Sequence, residues 1–248
     1  APADAEEFVA LARRRVLGEP LAYLLGEKEF YGRAFAVTPD VLVPRPETEL
    51  LVDLALERMR ALERPRVLDL GTGSGCIAVT LALECPAAQV TAIDASDAAL
   101  AVARRNAEHL GAAVAFSSGD WYDALPADAM YDLIVSNPPY VAAGDPHLHA
   151  LRFEPMRALA GGPDGLACLR VIAAGAGRRL APRGWLLVEH GYDQGAAVAE
   201  LFTRSGLSAE AHQVAVLHAG KGHAVGQRNK VDRELDAEPL DARHVGRI

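Results

Sequence analysis

Four consecutive residues, Asn137-Pro138-Pro139-Tyr140, bring together groups that can grip an amide or amino nitrogen. The asparagine supplies a side-chain amide oxygen. The prolines hold the neighbouring backbone carbonyls rigid, and the tyrosine offers a flat aromatic wall. Just before them, Leu133-Ile134-Val135-Ser136 is an apolar run that reads as a buried strand. Two prolines without N–H groups cannot continue a central strand, so the chain leaves the sheet at Asn137. In an open α/β sheet, ligands bind at the carboxyl ends of the strands. A plain strand-ending Asn-Pro turn explains the same four residues, and the other motifs decide between the two readings.

A second stretch with chemical potential is Gly71-Thr72-Gly73-Ser74-Gly75, which follows the strand pattern Val67-Leu68-Asp69-Leu70. Glycines at such a turn let the backbone bend tightly and approach a ligand. The spacing departs from the dinucleotide fingerprint, because Cys76 occupies the place of its third glycine. No Gly-Lys-Ser/Thr follows, which excludes a phosphate loop, and Ser74 does not stand in a Gly-x-Ser-x-Gly elbow. Asp94 ends the next strand pattern, where a carboxylate can accept both hydroxyls of a ribose; a solvated Asp ahead of a helix is the other reading. Asp120-Trp121 follows the third strand pattern and suits an adenine amine and ring, with core packing of Trp121 as the alternative. Three such turns on one sheet edge make a nucleoside pocket.

The elements that must position these residues follow from periodicity. A helix is predicted over 5–17, with Phe8, Leu11 and Ala12 on one face and Gly18 and Pro20 at its end. Arg13-Arg14-Arg15 reads as a solvated face at its negative pole. Short strands or a hairpin fall in 21–43, and Pro44-Arg45-Pro46 opens a helix to about Arg60. Strands at 67–70, 90–94, 113–116, 132–136 and 184–189 alternate with helices at 76–83, 96–109, 166–180 and 194–204. Weaker strands fall near 208–217 and 223–227. This alternation gives an α/β, doubly wound, mostly parallel sheet with one antiparallel edge. The predicted organisation is an N-terminal helix and hairpin linker over 1–43, a main domain over 44–228, and a charged, frayed tail over 229–248.

Composition narrows the class. The 248 residues are 50% hydrophobic and 23% charged, an ordinary globular balance. A net charge of −8 gives no general attraction to phosphates, which argues against nucleic acid as a direct partner. Cys76, Cys85 and Cys168 form no Cys-x-x-Cys pair, so neither structural zinc nor an oxidising compartment is expected. No apolar run of 18 residues and no basic-then-apolar leader is seen, so a cytoplasmic protein without a membrane segment is expected. The start at Ala1, without methionine, points to a missing or processed upstream piece. His147 and His149 read as a solvated loop rather than a metal site.

Together, Asp69 with the glycine turn, Asp94, Asp120-Trp121 and Asn137–Tyr140 resemble the class I S-adenosylmethionine-dependent methyltransferases. Gly18–Gly26, Pro44–Glu49, Phe153–Pro155, Gly161–Gly165 and Glu189–Gly195 are similar, within that class, to the protein-(glutamine-N5) methyltransferases of peptide chain release factors. The resemblance covers about residues 6 to 205. It implies a seven-stranded sheet of order 3-2-1-4-5-7-6 with strand 7 antiparallel, and S-adenosyl-L-methionine as cofactor. It also implies an N-terminal helical domain that docks the release factor, of which only the last helix, about 5–17, is present. A monomer with no metal is expected. It implies cofactor contacts from Asp69, Gly71, Thr72, Gly73, Ser74, Gly75, Asp94, Trp121 and Asn137. Substrate contacts fall to Asn137, Pro138, Pro139 and Tyr140, with Asn137, Pro138 and Tyr140 catalytic. His218-Ala219-Gly220-Lys221-Gly222-His223 departs from the family, which carries an acidic-glycine-arginine pattern there.

An amide nitrogen is a poor nucleophile, because its lone pair is shared with the carbonyl through the resonance that gives amides a rotation barrier of about 18–20 kcal/mol. Donation of its two hydrogens to the Asn137 oxygen and the Pro138 carbonyl would return density to nitrogen, with Tyr140 packed on the flat amide. Glu189 and Tyr192 read as a pocket floor or as packing; Arg45 and Thr48 read as neighbours of the cofactor or parts of its lid. The motif is shared with nucleic acid amino-methyltransferases, so methylation of an exocyclic base nitrogen stays open beside glutamine methylation of a ribosomal protein. An NAD-dependent oxidoreductase, disfavoured by Cys76, and a non-catalytic binding module are the remaining rivals.

Overall fold

The computed structural model describes residues 2–207 and 215–216, with backbone alone for residues 2–4 and 215–216. Helix α1 (Pro2–Val16) carries its three arginines in the last turn, where cations suit the negative pole. It stops at Gly18, whose φ of 99° is open to glycine and not to other residues. The N–H groups of Gly18 and Glu19 return to the carbonyls of Arg15 and Arg14, which satisfies the helix end. After the short α2 (Leu21–Leu25), β1 (Glu27–Phe30) and β2 (Arg33–Ala36) form an antiparallel hairpin. Its turn, Tyr31-Gly32, has positive φ at both residues, the twist that a two-residue hairpin needs. Tyr31 is held there by α3 (Thr48–Met59). Its N–H donates to Glu49 and its hydroxyl to Asp53, both at 2.8 Å.

The main sheet contains β3 (Arg66–Leu70), β4 (Gln89–Asp94), β5 (Val114–Ser118), β6 (Tyr131–Ser136) and β7 (Leu180–Val188). Its order is β5-β4-β3-β6-β7 and every pairing is parallel. Helices α4 (Cys76–Glu84), α5 (Asp97–Leu110), α6 (Ala167–Ala176) and α7 (Gly195–Arg204) complete the doubly wound pattern. Alternate strand residues feed two cores. Val67, Val90, Leu133 and Val135 pack with Phe35, Leu51 and Ile77 on one face. Leu68, Leu70, Ile93 and Ile134 pack with Leu169, Ile172 and Val198 on the other. The central strands are apolar almost throughout because both faces are covered.

The five strands fill the first five places of the predicted order. The predicted strand near 223–227, the 218–223 segment and the tail over 229–248 lie outside the described residues. Of the strand predicted near 208–217, only β9 (Ala215–Val216) is described, and it pairs in parallel with β8 (His190–Gly191). One helix is shorter and one strand longer than periodicity suggested. Helix α6 ends at Ala176, and β7 begins at Leu180 rather than at 184. The Pro182-Arg183-Gly184 break is absorbed as a register shift against β6, with Arg183 at φ 65°.

Candidate active site

The carboxyl ends of β3, β4, β5 and β6 open on a cavity of about 300 Å³. Gly71, Thr72, Gly73, Ser74, Asp94, Trp121, Asn137 and Pro139 lie on its wall. Asp69, Gly75, Pro138 and Tyr140 are not among the lining residues.

At one end, main-chain bonds shape the wall. Gly71, Gly73 and Gly75 have φ of 72°, 56° and 81°. The N–H groups of Gly71 and Thr72 donate to the Ile93 carbonyl at 2.8 and 3.0 Å. Asp94 accepts the Gly73 N–H on Oδ2 and the Ser96 N–H on Oδ1, both at 2.8 Å. Its own carbonyl accepts from Gly119 at 3.1 Å, which joins the third turn to the first two. Each carboxylate oxygen of Asp94 keeps acceptor capacity for a ligand. A Cβ at Gly75 would stand 3.1 Å from that of Ala103, so glycine lets α5 close on the loop. Trp121 lines the cavity with its ring beside Gly71 and adopts a φ of 48°. Non-glycine residues hold such angles only where the surroundings impose them.

Asp69 is fully buried next to the glycine loop and accepts the Thr72 hydroxyl at 2.6 Å on Oδ2. Burial pushes its carboxyl up to about 7, against the opposing hydrogen bond from Thr72. Its Oδ1 has no partner among the described residues. Cys76 is also buried, and burial pushes its thiol up to about 12, which removes it as a nucleophile.

At the other end, side chains from distant elements do the positioning. Asn137 follows β6, and its Nδ2 donates to Thr48 Oγ1 at 3.2 Å. Thr48, at the start of α3, donates in turn to Glu189 Oε2 at 2.7 Å. Tyr140 donates its hydroxyl to the other carboxylate oxygen of Glu189 at 3.2 Å. Burial pushes the Glu189 carboxyl up to about 7, although the bonds from Thr48 and Tyr140 pull the other way. The Tyr140 hydroxyl is raised by burial and by the adjacent Glu189.

The backbone of the tetrapeptide is clamped from behind. Gln194 donates to the Tyr140 carbonyl at 3.0 Å and accepts from the Gly191 N–H at 2.8 Å. A Cβ at Gly161 would stand 2.6 Å from the Pro139 carbonyl oxygen, so no side chain fits there. Arg45 bonds to Glu154 at 2.5 Å, and Glu154 also accepts the Val43 N–H. This pair fixes the strap that contributes Asp40, Val41 and Leu42 to the wall. Tyr192 is exposed and stands apart from the network. Among the described residues, no group of three metal-ligating side chains occurs.

Asn106 lay outside sequence reasoning, and Glu154 and Gln194 entered it only as members of the stretches Phe153–Pro155 and Glu189–Gly195. Buried Asn106 of α5 exchanges bonds with the Ala36 backbone and donates to the Ser74 carbonyl, tying hairpin to glycine loop. Gln194 and Glu154 act in the same long-range way. No local spacing signals such contacts.

A family model described as the methyltransferase small domain matches residues 47–153. The chain is 58% identical over 208 residues to the release factor glutamine methyltransferase of Bordetella pertussis, covering 83% of this chain and 77% of that protein. It is 56% identical over 201 residues to the release factor glutamine methyltransferase of Neisseria gonorrhoeae, covering 80% and 73%. The chain belongs to the release factor glutamine methyltransferases. It is therefore a methyltransferase, and the chemistry of its site is to be understood as methyl transfer. The fold agrees. A methyltransferase from Pyrococcus furiosus superposes with a TM-score of 0.53 at 20% identity, over 79% of this chain and 86% of that one. A SAM-dependent methyltransferase from Agrobacterium tumefaciens superposes with a TM-score of 0.55 at 20% identity, over 73% and 57%.

Proposed function

We propose that this chain methylates the side-chain amide nitrogen (N5) of the glutamine in the Gly-Gly-Gln loop of a release factor, using S-adenosyl-L-methionine. The observation that carries this reading is the state of Asn137. Its nitrogen is committed to Thr48, and nothing among the described residues donates to its oxygen. That leaves an acceptor at the cavity wall, which is what an amide NH2 group requires.

The residues at the other end of the cavity fit the cofactor. The Asp94 carboxylate suits ribose hydroxyls, and the Trp121 ring suits adenine. The glycine loop leaves room for close approach; a Cβ at Gly73 would meet nothing within 4 Å. Thr72 and Ser74 complete that wall, and buried Asp69 stands behind it, holding the Thr72 hydroxyl. When bound, S-adenosyl-L-methionine supplies an electrophilic sulfonium methyl group.

The chain's own residues make the glutamine nitrogen able to accept it. Asn137 Oδ1 takes one amide hydrogen at the wall, and the other has to reach the carbonyl of Pro138, which is buried and outside the lining, so that electron density returns to nitrogen. Pro139 and the clamp on its carbonyl keep both acceptors in place. Tyr140, packed against the core and outside the lining, anchors the turn through its hydroxyl on Glu189. Fixed geometry of this kind supplies up to roughly 7–11 kcal/mol of the barrier, and aimed acceptors stabilise the charge developing on nitrogen.

A protein substrate agrees with the net charge of −8, which offers nucleic acid no general attraction. Free cysteines at 76, 85 and 168 suit the reducing cytoplasm. The test offers tritiated S-adenosylmethionine with a release factor, a ribosomal protein and DNA as competing acceptors. Label is expected in the release factor; label confined to either competitor would overturn the substrate assignment.

A further inference from the structure

The amide of Asn137 has two ends, and only one of them helps an NH2 substrate. With its oxygen toward the cavity it accepts; turned over, it presents hydrogens to a group that also carries hydrogens. The residue that distinguishes the two placements is Thr48. A hydroxyl has one hydrogen, and that of Thr48 is directed to Glu189 Oε2 at 2.7 Å. Toward Asn137, therefore, Thr48 can only accept, as it does from Nδ2 at 3.2 Å. An overturned amide would set its oxygen against the Thr48 lone pairs.

Glu189 in turn fixes Thr48. An ionised carboxylate gives no hydrogen and takes several. Its two oxygens receive Thr48 and Tyr140, so every bond in the chain from Glu189 through Thr48 to Asn137 has a set direction. Glu189 is fully buried and Thr48 almost so. Apolar side chains of similar size would fill that space without burying a carboxylate, so packing alone does not call for this pair. The contact spans 141 residues of sequence, and joins α3 to the end of the central sheet.

We propose that Thr48 and Glu189 are positioning residues whose joint task is to hold Asn137 with its amide oxygen toward the substrate nitrogen. This rests on the functional reading of Asn137 given above. Thr48 lines the same cavity as Asp94. The bonds of the lock run from Glu189 through Thr48 to Asn137, and to Tyr140, and none reaches the Asp94 turn, so the lock acts on turnover rather than on cofactor binding. It is also sensitive to the charge of Glu189. A protonated Glu189 can give its hydrogen to Thr48 Oγ1, which frees the Thr48 hydrogen to meet an overturned Asn137. The groups facing Glu189 are Thr48 on α3, Tyr140 after β6, Arg45 and Glu47 ahead of α3, and the Cys76 thiol at the start of α4. Burial holds the Glu189 carboxyl itself near neutrality.

The experiment compares Thr48→Val, Thr48→Ser and Glu189→Gln in the full chain, with release factor and tritiated S-adenosylmethionine. For Thr48→Val, kcat is expected to fall by about 10–100-fold, the loss of one aimed acceptor. KM for the release factor and cofactor Kd should stay within about threefold, less than the tenfold that 1.4 kcal/mol represents. Thr48→Ser, which keeps the hydroxyl, should recover most of the loss. In Glu189→Gln, kcat should fall and lack the rise with pH toward neutrality that the lock predicts for the unchanged protein. Thr48→Val should add nothing in an Asn137→Ala background, because residues of one network are not additive. Thermal melts establish that each variant is folded. If Thr48→Val is unfolded, Glu189→Gln and Thr48→Ser make the same comparison. Full turnover in folded Thr48→Val, or a Ser variant as slow as the Val variant, would overturn the lock. Absence of methyl transfer to release factor by the unchanged protein would instead overturn the functional reading beneath it.

Discussion

The two ends of the cavity are built on different principles. At the Asp94 end, the wall is mainly backbone. Glycine N–H groups bond to the ends of neighbouring strands, with Asn106 of α5 as a long-range side-chain support on the Ser74 carbonyl. At the Asn137 end, the wall is side chain upon side chain. Its supports lie 89 residues away at Thr48, and Glu189 and Gln194 stand 49 and 54 residues from Tyr140. A backbone wall depends on the sheet and on glycine. A side-chain wall fails when any one distant partner is lost. A cofactor common to many reactions needs only the first; a specific weak nucleophile needs the second.

Substitution at each end should separate the two roles. The largest effect is expected at Asn137→Ala, where turnover should fall about 10²–10³-fold, the usual consequence of losing an aimed polar group. Cofactor Kd, measured by calorimetry, should move less than about threefold, well under the tenfold worth 1.4 kcal/mol. Asp94→Ala should do the opposite: Kd for the cofactor rises roughly 10–100-fold, or about 1.4–2.8 kcal/mol, while turnover at saturating cofactor largely survives. Equal damage to both quantities in either variant would break the division.

The clamp behind the tetrapeptide gives a finer contrast. Gly161→Ala meets the Pro139 and Gly165 carbonyl oxygens, whereas Gly73→Ala meets nothing within 4 Å and suffers only from its φ of 56°. The second change should cost about 1–2 kcal/mol, or roughly 2–8 °C in Tm. The first should cost more and slow turnover as well. Similar melts and rates for the two would show that the clamp does not matter.

A smaller effect concerns pH. Asp69 and Glu189 are both raised to about 7 by burial. Their folded values exceed the ordinary carboxylate range, so their contribution to stability is complete below about pH 4. It is lost progressively as pH rises to about 7, and is constant above. Asp69→Asn should flatten that part of the Tm-against-pH curve; an unchanged slope would contradict the burial argument. The smallest effect is expected for Tyr140→Phe, which gives up one hydrogen bond worth about 0.5–1.5 kcal/mol. Its turnover should fall less than about tenfold, checked in the same transfer assay.

The same contrast explains what could be read before the structure. The glycine turn, Asp94 and the strand ahead of Asn137 were legible because each is local: a period of two, a glycine at a turn, a carboxylate at a strand end. The alternation gave the doubly wound, mostly parallel class, and the order of the five described strands followed from the family resemblance alone. Thr48 and Glu189 were noticed singly, one as a cofactor neighbour or part of a lid and the other as a floor or packing residue, and their bond was not, since no spacing encodes a contact across 141 residues. Asn106 left no trace for the same reason. It sits mid-helix, where a polar residue is ordinarily a solvated one, yet it is buried with bonds to Ala36 and Ser74. The early start of β7 was hidden by Pro182 and Gly184, which break a strand in sequence and are carried by a bulge in the fold.

Localisation of the transferred methyl group tests the central claim most directly. A release factor is incubated with the chain and S-adenosylmethionine, digested, and its peptides are fragmented by mass spectrometry. The account predicts one added methyl on the side-chain nitrogen of the glutamine in the Gly-Gly-Gln loop, and none with Asn137→Ala. A methyl group on any other side chain, or one placed equally well by Asn137→Ala, would contradict it.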